Sequence, residues 1–578
     1  MLTKMSRLIV LFLLVCWSAG GAVAQVLYIG GHRAVRDLNL NRWLCSIPQE
    51  NFGHDWTTTL EFDSACTNVV LNGERIVNGQ EVTFDSIDAG TEYSFQLLYQ
   101  NRSYKGNITF TWLPVMELYG TFGDEYAGGT IWLNYPDGTI DESMQAKLKW
   151  RGGITNSGVR LKRNYSIKFI DDDGQKVNRS FLGLRKDNHW KLDAAQMDLL
   201  RVRNRVSTDL WLDMSAKPWY AELEPKVVNG SRGRTIELLL NSRYMGIYHL
   251  IEPVDRKQLK LEKHDTIDNV FHGQLWYNKT WNRTGTMGNP IDWSNDEENW
   301  DGIHVEYPDF EDVHPTDWST LARAVTFSHD ASVNKQWDMF ADSVGKYFDE
   351  PVLIDYFVFI VTLQALDNES KNIMYSCYDK QLDQRLLMTP WDLDVSTGSK
   401  LQVTWDDRDI APDRYIYWIS HVPMLNLFNH SKPYHRRIIR RYWELRKTYL
   451  DVDSLIQRFQ TAVDELEACG AAAREEKRWS KSADIGGRVL DISAEMEYVA
   501  DWIRWRIAFL DEEIFPPLKV ITGDVDDNGE VNIVDINIVI ELILGGTASD
   551  VIMQRADVNG DGEINIVDIN ALIDIILK

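Results

Sequence analysis

The segment that follows the apolar run Val352–Leu366 offers the side chains with the most evident chemistry. The run has the length and composition of a buried helix, and it leads directly into Asp367. Asn372 stands five residues after Asp367. Phosphoryl-transfer sites use that spacing, with the Asp orienting the attacking hydroxyl and the Asn holding a metal ion. A capping turn after a helix also uses Asp and Asn, so the spacing alone leaves both interpretations open.

Two β-like runs after Asn372 predict a hairpin that brings further carboxylates back to the same place. The runs are Ile373–Tyr378 and Arg385–Thr389, and the second is followed by Asp392 and Asp394. A carboxylate returned in this way could hold the metal ions on nucleotide phosphates. Strand alternation would point both side chains the same way, which leaves the choice between them open. The alternative is a solvated strand end.

Composition bounds the classes of protein to which these residues can belong. The chain has 578 residues, 44% of them hydrophobic, which supports several domains with cores and excludes a disordered protein. The formal net charge of −25 disfavours nucleic acid and anionic membranes as partners. Such a charge fits an extracellular protein that binds divalent cations.

The N-terminus has the pattern of a secretory signal peptide over residues 1–24. Lys4 and Arg7 precede the apolar core Leu8–Trp17, and Ala22-Val23-Ala24 forms a small-x-small cleavage site. The apolar core is too short to span a bilayer, and no later segment resembles a span. We therefore predict a secreted or cell-surface protein without a transmembrane segment.

The residues after the signal peptide divide into regions of different pattern. Residues 25–115 contain short strands separated by polar turns, which predicts a small β-sandwich in which Cys45 and Cys66 can pair. Residues 116–252 are rich in strands with one helix, Leu199–Met214, and residues 253–515 are mostly helical. We expect a multidomain α+β protein whose central 400 residues form two lobes.

The strand-rich lobe contains a candidate for the lysine that contacts nucleotide phosphates. Lys168 lies on a strand after the turn Gly152-Gly153, although this turn is not the G-x-G-x-x-G pattern. Taken alone, Lys168 is better explained as an exposed strand lysine.

Two near-identical loops close the chain and carry the strongest motif in the sequence. Carboxylates and amides at loop positions 1, 3 and 5, Gly at 6, a backbone carbonyl at 7 and Asp at 12 form an oxygen cage for Ca²⁺. We predict two Ca²⁺ ions, at Asp524, Asp526, Asn528, Glu530 and Asp535, and at Asp557, Asn559, Asp561, Glu563 and Asp568. Apolar helices are expected after the loops, at Ile536–Leu544 and Ile569–Leu577, and none before them.

Several motifs together make residues 116–515 similar to the spore-coat-protein-H (CotH) kinase family. They are Arg151-Gly152-Gly153, Lys162–Phe169, Leu200–Arg205, Asn241–Tyr248, Asp367–Asn372 and Pro390–Asp394. The resemblance implies an atypical, secreted or surface protein kinase with a bilobal fold that transfers phosphate from ATP to Ser. It departs from ordinary kinases, since no His-Arg precedes Asp367 and no Phe-Gly follows Asp392.

The same resemblance implies roles for named residues. Asp367 becomes the catalytic carboxylate. The metal ligands for Mg²⁺ or Mn²⁺ become Asn372 and Asp392, with Asp394 as the alternative. Lys168, with Arg151 and Gly152 of the turn before it, is placed at the ATP phosphates, and no acidic partner for Lys168 is evident.

The C-terminal repeat resembles a type I dockerin over residues 523–578, after a linker at 516–522. This implies a cohesin domain of a scaffold protein as partner, contacted through the apolar pairs Ile533-Val534 and Ile566-Val567. The alternative is a calcium-stabilised end cap that packs on its own protein.

Two further features have non-catalytic explanations. The basic cluster Arg436, Arg437, Arg440 and Arg441 is expected to be a solvated helix face, with a phosphorylated substrate as the alternative. The Trp-rich stretch between 276 and 300 is expected to pack on its own lobe, with a sugar or peptide platform as the alternative.

The sequence thus predicts a scaffold-attached protein kinase that phosphorylates Ser or Thr of extracellular proteins. The alternatives are a non-catalytic binding component on a kinase-like fold, or another phosphoryl or nucleotidyl transfer by the same carboxylates.

Overall fold

The computed structural model describes residues 27–153, 156–158, 160–285, 287, 289–399, 411–413 and 428–578, so the predicted signal peptide lies outside it. The strands are β1 Leu27–Ile29, β2 His32–Asp37, β3 Arg42–Ser46, β4 Trp56–Phe62, β5 Cys66–Leu71, β6 Glu74–Arg75, β7 Gln80–Phe84, β8 Tyr93–Tyr99, β9 Arg102–Thr111, β10 Val115–Tyr119, β11 Ala127–Asn134, β12 Ile140–Arg151, β13 Asn164–Phe169, β14 His189–Asp193, β15 Gly233–Leu240, β16 Arg243–Ile251, β17 Gln274–Asn278, β18 Asn299–Trp300, β19 Ile303–Tyr307, β20 Ile373–Asp379 and β21 Asp383–Pro390.

The α-helices are α1 Arg203–Met214, α2 Ser319–Val333, α3 Trp337–Ser343, α4 Glu350–Leu363, α5 Lys432–Arg446, α6 Val452–Ala468, α7 Ala471–Trp479, α8 Ile492–Phe509, α9 Ile533–Ile543, α10 Asp550–Ala556 and α11 Ile566–Ile576. The mixed α+β class, with β-rich sheets first and helices towards the C-terminus, is as predicted. Within the described part of the chain, no helix is long and apolar enough to cross a membrane.

The N-terminal strands form a sheet of order β6-β5-β8-β9-β3-β2-β1-β4-β7 that folds back on itself. Phe84 of β7 and Phe110 of β9 pack 5.0 Å apart although four strands separate them in the sheet. The side chains of β8 alternate, with Tyr93, Phe95 and Leu97 buried in the shared core. The two halves therefore face each other as in a sandwich.

Cys45 and Cys66 do not pair, contrary to the predicted option. Both are buried free thiols, on β3 and β5 respectively. Strands β8 and β9 lie between them in the sheet, and neighbouring strands are about 4.8 Å apart, so the thiols are out of disulfide range.

Seven strands form a closed barrel, β10-β11-β12-β13-β14-β16-β15, which the parallel pairing of β10 with β15 completes. Leu148, Ile167 and Trp190 alternate into its buried interior. Lys149, Ser166 and Lys191 are paired across β12, β13 and β14 on the other face. The barrel thus carries a row of polar side chains on its outer surface.

Helix α1 begins at Arg203 rather than at Leu199. Arg201 has a φ of 68°, a left-handed conformation that a helix cannot contain. The Asp198 carboxylate accepts hydrogen bonds from the amides of Leu200 and Arg203, which holds the chain in a turn before the helix starts.

The second sheet, of order β18-β19-β17-β20-β21, packs with α2–α8 to form what we call the helical part. Its predicted hairpin is present as β20 and β21. Helix α4 has an almost wholly buried surface, as the predicted apolar run requires. It ends at Leu363, and the next residue, Gln364, has a φ of 50°.

A fully buried ion cluster joins the barrel to α7 of the helical part. The Glu475 carboxylate lies 2.7 Å from both Lys162 Nζ and Arg201 Nε, and it accepts a hydrogen bond from the amide of Ile247. Gly246 has a φ of +98°, and a Cβ there would lie 1.7 Å from Glu475 Oε2. Lys162, Arg201 and Gly246, which belong to the motifs named above, therefore help to hold the barrel against the helical part.

Candidate functional site

Asp367 lies in a 3₁₀ turn directly after α4, at the junction with β20. Its side chain is 6% exposed, and Oδ2 is 2.6 Å from Lys371 Nζ. The Asn372 amide is 3.5 Å from the same oxygen. The other oxygen, Oδ1, is buried without a hydrogen-bond partner. The structure therefore brings Asp367 and Asn372 together and leaves one carboxylate oxygen of Asp367 open to accept a proton or a ligand.

Asn368 fixes the turn of Asp367 to the end of the hairpin. Its side-chain amide donates to the carbonyl of Asn372 at 3.1 Å and to the carbonyl of Trp391 at 2.8 Å. The amide of Trp391 donates to the carbonyl of Asn372 at 2.9 Å. The spacing between the Asp367 turn and the acidic turn after β21 is thereby set by hydrogen bonds.

Asp392 and Asp394 lie in turns after β21 and not on the strand. Asp392 has a φ of 59° and Asn372 a φ of 56°, left-handed conformations that Asp and Asn tolerate better than most residues. The argument that strand alternation would point both carboxylates the same way therefore does not apply, because the strand ends at Pro390.

Asp193 joins this group from the end of β14. The Asn204 side chain donates to Asp193 Oδ2 at 2.6 Å and accepts from the amide of Leu393 at 2.9 Å. One residue at the start of α1 thus connects the barrel to the acidic turn. Asp193 was not singled out in the sequence, and Asn204 was noted there only as part of the motif Leu200–Arg205.

The electrostatics show that these carboxylates share one buried region. Burial raises the pKa of Asp392 to about 6. The negative charges of Asp193 and Asp367 also act to raise this pKa, whereas the positive charges of Arg151 and Lys371 act to lower it. Burial also raises the pKa of Asp394 well above its usual value, with Asp392 and Asp367 contributing. Carboxylates that raise one another's pKa favour a cation between them.

The cations opposite this group are Arg151 and Lys191. Lys191 Nζ lies 4.3 Å from the ring centre of Trp391, and the Arg151 guanidinium lies 5.6 Å from it. Burial, and then the charge of Arg151, lowers the pKa of Lys191 to about 7. Arg151 Nε is buried without a hydrogen-bond partner. Both side chains are placed to receive an anion.

Lys168 is placed differently from Lys191. It lies on the exposed side of β13, with Nζ 4.6 Å from the ring centre of Tyr126. Gly152 follows β12 with a φ of 103°, and parts of the loop beyond it, residues 154, 155 and 159, lie outside the described residues. Lys191, and not Lys168, is the lysine that lies next to Trp391. In the sequence, the only feature that could have pointed to Lys191 was its alternation with Asp193 on strand β14.

The carboxylate and amide oxygens of this site suit a metal ion that is also bound by a nucleotide better than an ion whose ligands all come from the protein. Within the described ranges, three carboxylate oxygens come within 4.8 Å of one another only at Asp524, Asp526 and Asp535. Mg²⁺ keeps waters and substrate phosphates among its ligands, so one or two carboxylates and the Asn372 amide oxygen suffice. That amide oxygen accepts a hydrogen bond from Tyr277 at 3.1 Å.

The first C-terminal loop has the arrangement that a calcium cage needs. Asp535 at position 12 accepts hydrogen bonds from the amides of Val525 and Asn532 and forms a capping box at the start of α9. Asp524 Oδ1 is buried without a hydrogen-bond partner. Burial raises the pKa of Asp526, with the charges of Asp535 and Asp524 adding to it. These groups fit a hard divalent cation.

The second loop repeats the main hydrogen bonds of the first, with Asn559 in place of Asp526 at position 3. Asp568 accepts from the amides of Val558 and Asn565, and Asp557 accepts from the amide of Gly562. Helix α10 ends at Ala556, directly before this loop, so the expectation that no helix precedes the loops is wrong here. Helices α9 and α11 also begin three residues earlier than predicted, because Asn532 and Asn565 cap them.

The basic cluster on α5 is not a solvated face. Arg441 pairs with Asp355 at 2.6 Å and Arg437 pairs with Glu350, both within the helical part. Arg436 and Arg440 contact Asp527 of the first calcium loop. The predicted face is occupied by carboxylates that lie far away in the sequence. In the Trp-rich stretch, Trp276 and Trp300 are buried as expected, whereas Trp281 and Trp293 are partly exposed.

Comparison with protein families agrees with this organisation. A model of the CotH kinase protein family matches residues 148–510, which include the carboxylates, Arg151 and Lys191. The chain belongs to the CotH kinase protein family. A model of the type I dockerin domain matches residues 522–577, which include both calcium loops. A search of curated proteins finds no significant match. The CotH and dockerin resemblances seen in the sequence are thereby confirmed.

Proposed function

We propose that this CotH-family protein is an ATP-dependent kinase that phosphorylates Ser or Thr of extracellular proteins. The observation that carries the proposal is the hydrogen-bonded junction between two turns. Asn368 holds the Asp367 turn against the turn of Asp392, and Asp367 presents a buried oxygen without a partner. A positioned base next to metal-binding carboxylates is what phosphoryl transfer requires.

The proposed roles follow from the position of each side chain. Asp367 orients the acceptor hydroxyl and takes its proton, and Asn372 and Asp392 provide oxygen ligands for Mg²⁺ or Mn²⁺. Bound ATP supplies the transferable phosphoryl group. Lys191 and Arg151 hold its phosphates by charge, and Lys168 with Gly152 remains the alternative from the sequence. The barrel and the helical part would then act as the two lobes, 116–252 and 253–515.

Four variants test these roles by ATP binding and by transfer of labelled γ-phosphate with Mg²⁺ or Mn²⁺. Asp392→Asn should abolish metal-dependent ATP binding, and Asp367→Asn should bind ATP but transfer phosphate about 10²–10⁴-fold more slowly. Lys191→Met should weaken ATP binding, whereas Lys168→Met serves as the matched control on the neighbouring strand. A folded wild type that binds no ATP with either metal contradicts the proposal.

One observation favours a non-catalytic binding component instead. Lys371 Nζ lies 2.6 Å from Asp367 Oδ2, so a cation already occupies the oxygen beside Asn372. If this pair is structural, Lys371→Met should leave Asp367 buried and unpaired and lower the melting temperature. If Asp367 is a base that Lys371 releases during turnover, the same variant should change phosphate transfer more than stability.

We further propose the domain division 25–115, 116–515 and 523–578, with the linker 516–522 between the last two. The dockerin would attach the protein to a cohesin domain of a scaffold after secretion directed by residues 1–24. The exposed apolar pairs Ile533-Val534 and Ile566-Val567 support this role, because each residue is between 46% and 64% exposed.

A further inference from the structure

The two calcium loops differ at position 4, where neither residue is placed to bind the metal. The first loop has Asp527 there and the second has Gly560. Both residues have left-handed backbones, with φ of 58° and 76° respectively. Glycine adopts this conformation without steric cost, whereas a residue with a Cβ does not. Asp tolerates this conformation better than most residues but less well than glycine, so the backbone of the loop does not itself require a carboxylate at this position.

The Asp527 carboxylate is the centre of three arginines from two parts of the molecule. Arg436 of α5 contacts Oδ1, and Arg440 Nε of the same helix lies 2.5 Å from Oδ2. Both arginines also donate to the backbone carbonyl of Asp527. Arg555 of α10 lies 2.9 Å from Oδ2 within the C-terminal module. The carboxylate is 7% exposed, so these contacts are shielded from water.

The residues around Asp527 extend the same contact. Arg436 packs against Gly529, where a Cβ would lie 2.8 Å from its Cδ. Lys432 Nζ lies 3.2 Å from the carboxylate of Glu530, and Arg436 Nη2 lies 3.6 Å from that of Asp524. The first loop is thus held along positions 1, 4, 6 and 7.

We propose that Arg436 and Arg440 dock the first dockerin repeat on the kinase-like domain through Asp527. The C-terminal module is then held in one position on that domain and does not move freely on the linker. The second loop supports this interpretation by contrast. Among the described residues, those of the second loop hydrogen-bond only within the C-terminal module. The inference does not depend on phosphate transfer.

The test uses the full chain with saturating Ca²⁺ and two changes on opposite sides of the contact. Asp527→Gly gives the first loop the residue of the second, and Arg436→Gln with Arg440→Gln removes the partners but leaves Arg555. Trypsin cleavage at the exposed Lys519, between the domains, and small-angle X-ray scattering report docking. Calcium content, two ions per chain, verifies that the loops remain formed.

Both variants should cleave at least about tenfold faster at Lys519, the effect of losing one strong charge-assisted contact, and both should increase the maximum particle dimension. Gly560→Asp, the reverse change in the second loop, is the matched control and should change neither. Unchanged cleavage and scattering in both variants would overturn the proposal. It would also be overturned if only Asp527→Gly had an effect, since the carboxylate would then serve Arg555 alone.

Discussion

The side chains that meet at Trp391 have ionisation properties that belong to a buried site. Burial raises the pKa of Asp392 to about 6 and lowers that of Lys191 to about 7, each towards its neutral form. The two groups thus carry opposite charges together only in a narrow range of pH.

Nucleotide affinity should therefore depend on pH with two limbs. Below about pH 6 Asp392 gains a proton and loses its charge for the metal, so affinity should rise with pH there. Above about pH 7 Lys191 loses its proton, so affinity should fall by up to about tenfold per pH unit. Calorimetric titration with ATP and Mn²⁺ from pH 5 to 9 measures both limbs.

Lys191→Arg provides the decisive comparison for the alkaline limb. Arginine stays protonated throughout this range, so the fall above pH 7 should disappear while the acid limb remains. Persistence of the alkaline limb in this variant would assign it to a group other than Lys191.

At the scale of single residues, the sequence predicted those site residues that lie close together along the chain. Asp367, Asn372 and Asp392 follow a helix, a turn and a hairpin, and short-range patterns determine all three elements. Lys191 and Asp193 were missed because alternation on a strand shows which residues share a face but not what that face meets. Trp391, which Lys191 contacts, and Leu393, which Asn204 links to Asp193, lie about 200 residues away in the chain.

At the scale of elements, the buried Glu475 cluster determines how α7 meets the barrel. One carboxylate pairs with both Lys162 and Arg201, and all three side chains are fully buried. Burying two cations in this way is tolerable only while the carboxylate is present. The motif residues Lys162 and Gly246 gain a structural explanation that sequence spacing could not provide.

Glu475→Gln should therefore destabilise the protein by about 3–5 kcal/mol, since it leaves two buried cations without a counter-charge. Differential scanning calorimetry should show a melting transition several degrees lower. Asp501→Asn is the control, because Asp501 pairs with Arg504 at a site where both side chains are more than half exposed. Equal melting temperatures for the two variants would contradict this account of the cluster.

The C-terminal module is the element whose folding we expect to depend most on metal. Its buried apolar core consists of Val525, Ile536, Val539, Ala556 and Leu572, which is small for 56 residues. Without Ca²⁺ the clustered carboxylates repel one another, so a chelator should reduce the helical circular dichroism of the segment 523–578.

Asp524→Ala with Asp557→Ala should have the effect of the chelator even with Ca²⁺ present, because each loop loses its position 1 ligand. Asp574→Asn, which changes an exposed carboxylate of α11 outside the loops, should retain the calcium response. If the circular dichroism spectrum did not change on addition of the chelator, the apolar core alone would be sufficient to fold the module.

At the scale of the whole molecule, docking makes the two duplicated repeats unequal. The sequence showed both apolar pairs and the arginines of α5, but not that Arg436 meets Asp527, 91 residues away. Such a contact depends on how whole domains pack against each other, and a local sequence pattern contains no information about that packing.

The inequality should appear when the chain binds a cohesin. The pairs Ile533-Val534 and Ile566-Val567 are similarly exposed, but a protein partner covers about 800 Å² on each side, far more than two residues. A partner centred on the first pair would meet α5, because Glu530, three residues before Ile533, already contacts Lys432. Binding should therefore use the second repeat.

In the full chain, Ile566→Asp should weaken binding to an immobilised cohesin by more than about tenfold, and Ile533→Asp by less than about threefold. Asp527→Gly should remove the difference, since an undocked module can present either repeat. Surface plasmon resonance of the three variants and their combinations measures this. If Ile533→Asp and Ile566→Asp weaken binding equally in the docked chain, α5 does not restrict the partner and the two repeats are equivalent.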